Sequence, residues 1–157
     1  MSESATLAPI SIDRMWLTKV DFDIDPEPAD KMVVKVDIDL RSGHVSRSDD
    51  GVMHETIELA VRARLVNEDD EEDVRMSASA SMVTEVSTDF PNLSDEAGER
   101  YLIRNAVSMS YSHARSCIMA VSAMSPMGGF TLPPILPDEI LRSHDDGDAE
   151  GGRDEKG

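Results

Sequence analysis

Residues 124–141 read MSPMGGFTLPPILPDEIL, and the placement of this stretch decides the fold. It holds four prolines and a glycine pair, and it follows a long run without proline. Proline lacks the N–H that a helix interior or a central strand needs, so the stretch is neither. A solvated loop has no use for Met124, Met127, Phe130, Leu132, Ile135, Leu136 and Ile140 together. What remains is an extended apolar connector that packs on its neighbours.

The upstream neighbour reads as a long helix. Ser94 is a fair N-cap, and Asp95 and Glu96 follow where the helix dipole favours acids. From there to about Met124, Leu102, Met109, His113, Ala120 and Met124 fall near one stripe. Ile103, Val107, Ala114, Cys117 and Val121 fall near another, among many Ala and Ser. Two such faces exceed the single stripe of a surface helix. One face can cover a sheet. The other is expected to meet a second copy of the chain, with Ser110, Ala114, Cys117 and Val121 at the interface.

The sheet lies further upstream, in four segments of period two. In the first, about Asp13 to Asp25, Trp16, Thr18, Val20, Phe22 and Ile24 share a face. Met15 and Leu17 break its pattern, which suggests a second contact or a bulge. The second runs from about Met32 to Arg41, with Val34, Val36, Ile38 and Leu40 alternating with charged residues. The third and fourth run from about His54 to Val66 and from about Val74 to Val86. Pro26 with Pro28, then Ser48 to Gly51, then the acidic run Glu68 to Asp73 supply the turns. Short links favour an antiparallel meander. The expected fold class is α+β: a four-stranded antiparallel sheet packed on a long helix, with a short second helix. Residues 1–10 read as a flexible N-terminus, 11–141 as one domain and 142–157 as a disordered acidic tail.

Composition excludes several function classes. The net charge of -17 repels nucleic acid and anionic membranes and would favour a basic partner. No stretch approaches the ~20 apolar residues of a membrane span, and the N-terminus lacks the pattern of a signal peptide, so the chain reads as cytoplasmic. The single cysteine allows no internal disulfide. There is no phosphate loop and no paired cysteine motif. His113 and Cys117 stand four apart and share a helix face, yet no third orienting residue is identifiable, so an enzyme is the distant alternative. They supply two ligands where a metal site needs three or four. No cofactor and no metal are expected.

Four antiparallel strands, a helix ending in HARSCIM, an apolar proline-bearing crossover and an acidic Gly-containing tail follow in that order. The arrangement resembles the SecB family of protein-export chaperones over roughly residues 10–141. ARSCI, Ala114 to Ile118, looks like the ARECI-type helix motif of that family. FTLPPILPDEIL looks like its crossover, and IDRMWLTKVDFDI, Ile12 to Ile24, like its first strand. The resemblance implies a homotetramer, a dimer of dimers. It implies a holdase that keeps unfolded or precursor proteins translocation-competent and hands them to SecA. SecB-like relatives also serve as chaperones of antitoxins. A protein-binding adaptor that holds one folded partner is a further alternative.

By the same resemblance, Met15, Trp16, Met124, Met127, Phe130, Leu132, Ile135, Leu136 and Ile140 line the client groove. The other reading is that the crossover residues merely cap the protein's own core. Asp21 and Asp23 are the candidates for SecA contact, although Lys19 and Ser77 stand where further acids would be expected. The family's longer second helix is expected here to be cut to about two turns, because DEILRSHDDG turns acidic at once.

Overall fold

The structure is a computed structural model and describes residues 10–27, 30–43, 45–89 and 94–151. The strands are β1 (Ile10–Ile24), β2 (Met32–Ser42), β3 (Ser46–Arg47), β4 (Met53–Asn67) and β5 (Asp70–Thr88). The helices are α1 (Asp95–Ser122) and α2 (Pro137–Gly151). All pairings are antiparallel, in the order β1-β5-β4-β2, and β3 pairs with β4. The four strands read from sequence are thus present, and the two-residue β3 adds a fifth. The acidic run is less of a loop than expected. Asn67 pairs with Asp70, so the turn is tight and β5 begins inside the run.

The core lies between the sheet and α1. Ile57, Leu59, Val61 and Ala63 of β4 and Met76, Ala78, Ala80 and Met82 of β5 point to the same side and are buried. They meet Leu102, Ala106, Val107, Tyr111, Ala114 and Ile118 of α1. Small residues on both surfaces let the helix approach closely. Within this layer the hydroxyls of Thr84 and Ser110 hydrogen-bond to each other at 2.6 Å, which satisfies two polar groups that water cannot reach.

Ser110 and Ala114 were expected at an interface between copies, and the structure corrects this. Both are fully buried against the chain's own sheet. The small residues serve that close approach. Cys117 and Val121 are half-buried at the edge of the contact, and Ser112, His113, Ser116 and Ala120 are exposed.

β1 also departs from simple alternation. Its register against β5 shifts between Ile12 and Arg14 and between Leu17 and Lys19. Asp13 and Thr18 are the extra residues of two bulges, each of which changes the phase of the strand. The residues opposite the helix-side β5 positions, Met76 to Thr88 in steps of two, are therefore Ile10, Ile12, Met15, Leu17, Val20, Phe22 and Ile24. Trp16 is opposite Val83 and so faces the outer side of the sheet, not the side of Val20 and Phe22. There the Arg14 guanidinium lies 5.6 Å from its ring centroid and pairs with Glu85 at 2.7 Å.

Ser94 caps α1, accepting from the Ala97 N–H at 3.3 Å, and Asp95 of the first turn pairs with Arg47 of β3 at 2.7 Å. Two glycines turn the chain out of the helix. Gly128 has φ +85°, which side-chain-bearing residues rarely adopt. A Cβ on Gly129 would lie 3.2 Å from the Ala123 backbone. The second helix does not stop at Leu141 but runs to Gly151, so residues 142–151, read from sequence as tail, are helical. After Pro137 no proline interrupts the segment, and once Ile140 is packed each further residue adds a backbone bond. Arg104 of α1 pairs with Asp138 at 3.3 Å. The expected flexible N-terminus (apart from Ile10) and the last residues of the expected tail, 152–157, lie outside the described residues.

Candidate functional site

α1 lies over β4 and β5, which are the central strands. The helix side of β2 is left to the crossover, residues 123–136, and to α2. Two hydrogen bonds fix the crossover against α1. The Phe130 N–H donates to Ser122 Oγ at 2.8 Å, and the Tyr111 hydroxyl donates to the Pro133 carbonyl at 2.6 Å. Burial raises the Tyr111 pKa, which keeps the donor protonated. Phe130 and Leu132 reach inward and are buried, at 3% and 0% exposure, while Thr131, Pro133 and Pro134 face outward. The prolines hold this alternation extended without offering the N–H groups of a strand.

Beyond Pro134 a groove of about 300 Å³ lies between the chain and β2. Its floor is Val36, Ile38 and Leu40 of β2, its wall is Ile135 and Ile140, and its rim is Glu139, Ser143 and His144. The groove is open to solvent and apolar at its base. That combination suits a flexible apolar ligand better than a small polar one.

The residues named from sequence separate here into four groups. Ile135 and Ile140 line the groove, and Leu136 beside Ile135 in the chain is 63% exposed. Phe130 and Leu132 are core residues that anchor the wall, and Met127 is half-buried against the same core. Met15 and Trp16 lie on β1 at the opposite edge of the sheet from β2. Three strand spacings, about 14 Å, separate them from the groove floor. Met124 is largely exposed just beyond the C-terminal end of α1. Sequence reasoning missed Val36, Ile38 and Leu40 as floor residues. Their alternation marked them as one apolar face, but not that β2 would be an edge strand beside the crossover.

The outer face of the sheet carries Asp21 and Asp23, both exposed. Asp21 pairs with Lys19 at 2.9 Å, and on β4 Arg64 pairs with Asp37 at 2.9 Å, so this face mixes both signs. His113 is exposed and Cys117 half-buried, both on α1. Among the described residues, no group of three or more His, Cys, Asp and Glu is placed to hold a metal ion. No helix among them is long and apolar enough to cross a membrane.

One buried acid stands apart from the groove. Glu55 of β4 is 2% exposed on the helix side of the sheet. Its Oε1 accepts from the Thr56 N–H at 3.0 Å, and its Oε2 has no partner among the described residues. Burial pushes its pKa up to about 7, and the nearby Glu99 of α1 adds to the shift, although hydrogen bonds from Thr56 and Gly43 oppose it.

With this geometry in place, the chain can be compared with known proteins. No family model matches it. No curated protein matches it in sequence. Among solved structures it is similar to a SecB-like chaperone of Mycobacterium tuberculosis in complex with a ChAD peptide from the HigA1 antitoxin. The TM-score is 0.61 at 11% identity, over 80% of this chain and 90% of that one. The fold is SecB-like.

Proposed function

We propose that the protein is a chaperone that holds polypeptide in a non-native state, and that its client is an antitoxin. The observation that carries this reading is the open apolar groove between β2 and the crossover, in a SecB-like fold. A groove that must receive many apolar side chains has to stay accessible while the core beneath it is closed. Here Phe130 and Leu132 close the core, and Ile135 and Leu136 remain at the surface. The choice of an antitoxin over a Sec precursor follows the similar structure, whose chaperone is seen with an antitoxin peptide. The Lys19–Asp21 pair also lessens the acidity that a handover surface for SecA would need.

Self-association belongs to the same proposal. Ile12, Leu17, Val20 and Phe22 form an exposed apolar row on the helix side of β1, which α1 touches but does not cover. A row of this kind supports a homo-oligomer, with the tetramer as the expected state.

The test is suppression of aggregation of a chemically unfolded protein, followed by light scattering. Replacing Ile38 and Ile135 by Ser removes two half-buried side chains at about 1 kcal/mol each, so client affinity should fall about thirtyfold. An unchanged aggregation rate in the presence of excess wild-type protein would refute the holdase reading. If affinity capture from its own cells brought down secretory precursors with SecA, the antitoxin half would fall instead.

A further inference from the structure

β4 begins at a closed end of the core, and an acid lies inside it. Glu55 is on the helix side of β4 and 2% exposed, opposite the fully buried Val86 of β5. Its Oε1 accepts from the Thr56 N–H at 3.0 Å, while its Oε2 meets no donor among the described residues. A buried carboxyl in this position is tolerated when protonated and costly when charged.

The charges around it add to that cost. Burial first, and then the like charge of Glu99 on α1, hold the proton, against hydrogen bonds from Thr56 and Gly43. Arg47 of β3 is engaged by Asp95 at 2.7 Å and by the Gly51 carbonyl at 2.9 Å. His54 is on the other face of the sheet, 3.6 Å from Asp13. β2 and β5 bring Ser42 and Val86, neither of them charged. No cation pairs with Glu55 among the described residues.

A further cavity, of about 290 Å³, lies next to this acid. Ser42 of β2, Glu96, Glu99 and Arg100 of α1, and Leu141, His144 and Asp145 of α2 line it. The acid lies behind Ser42 and Glu99, because a Cβ on Gly43, the residue after Ser42, would be 3.5 Å from Glu55 Oε1. α1 is fixed at this end by its Ser94 cap and by the Arg47–Asp95 pair. α2 is held to α1 more weakly, by the half-buried Leu141 and by Arg104–Asp138, a surface pair of small net value. His144 lines both this cavity and the groove, so the turn of α2 that closes the one also forms the rim of the other.

We propose that Glu55 is a proton switch: when its carboxyl ionises, water reaches it through this cavity and α2 comes away from α1, which loosens one wall of the groove and weakens the hold on clients. The effect on clients rests on the holdase reading, and the release of α2 does not. In the closed form the carboxyl titrates at about 7, and in an opened form it regains its ordinary value of 4.5. Closure is thus favoured at low pH, and the ratio of opened to closed form should rise about tenfold from pH 6 to pH 8.

The experiment is amide hydrogen exchange on the full chain at pH 6 and pH 8, with rates corrected for the intrinsic effect of pH. Protection of the α2 amides from Leu141 to Asp145 should fall about tenfold at pH 8, and should stay well below that of Leu59 and Ala80 at both pH values. In Glu55→Gln it should be the same at both. In Glu99→Gln the fall should come at lower pH, because a like charge has gone. Unchanged α2 protection in the wild type would overturn the switch, and so would a fall that persists in Glu55→Gln. α2 amides as well protected as those of Leu59 and Ala80 would mean that α2 leaves only when the whole chain unfolds, and would overturn it too. Release of α2 with equal client affinity at pH 6 and pH 8 would overturn its link to the groove. If α2 is released but unfolded protein is held at neither pH, the switch stands and the holdase reading falls.

Discussion

Glu55 makes the stability of this protein depend on pH in a direction opposite to that of a paired surface acid. Its carboxyl has a folded pKa near 7, against an ordinary value of 4.5. The folded protein therefore holds its proton more tightly than the unfolded chain does. Stability is full below the unfolded value, and it is lost as pH rises from there through the folded value. Between pH 5 and pH 8.5 the loss is about 2–3 kcal/mol, from the shift at about 1.4 kcal/mol per unit. For a chain of this size that is a fall in melting temperature of roughly 5–10 °C. Glu55→Gln keeps the oxygen that accepts from Thr56 but cannot ionise. The variant should therefore melt at nearly the same temperature across this range. It should be the more stable protein at pH 8.5 and no better at pH 5. Asp50 and Asp73 do not confuse the comparison, because hydrogen bonds from Ser48 and Arg75 lower their pKa values and their transitions lie on the acid side. Calorimetry or thermal circular dichroism at a series of pH values is sufficient. A wild type whose melting temperature is flat from pH 5 to pH 8.5, or a variant that follows the same slope, would refute the argument.

Two further outcomes separate core from surface. Leu132→Ala should cost about 2–5 kcal/mol in a denaturant titration, since the side chain is fully buried and leaves a cavity, whereas Ile135→Ala should cost clearly less. Equal losses would mean that the crossover packs differently. Ala114→Glu should unfold the chain rather than divide an oligomer, because it places a charge without a partner against β4 and β5. A folded, monomeric Ala114→Glu protein would return that helix face to an interface between copies.

Much of the architecture is legible in the sequence because the periods are clean. The alternation in β2, β4 and β5 survives unbroken through the strand centres, so the apolar faces read from it are those that meet the helix or the groove. β1 is misread at Trp16 because a bulge conserves composition and changes only phase. Thr18 gives no sign of being the additional residue. The helix is misread on its second face for a related reason. Ala and Ser are compatible with a partner of any kind, and only the sheet's small residues, Ala78 and Ala80, decide that the close approach is internal. The crossover is read correctly as extended and apolar, but burial divides it. Phe130 and Leu132 alternate inward, and the two hydrogen bonds from α1 that enforce this have no signature in the sequence. The groove floor depends on strand order, which the alternation of β2 does not contain. α2 runs past its expected end because acids and small polar residues continue a helix already started by packing at Ile140.

The bulges of β1 have a consequence for the length of the chain. Ile12 and Met15, like Leu17 and Val20, are three positions apart in sequence yet occupy adjacent places on the same face. Removing Asp13 or Thr18 would leave those places filled by the same residues in an ordinary strand. Removing any one residue between Val33 and Arg41 would turn the rest of β2 over. Two additional residues are thus carried in β1, whose strand pairing among the described residues is with β5, and none in the strand that floors the groove. A shortened relative of this protein should be missing residues at those two points of β1, and should keep β2 at full length.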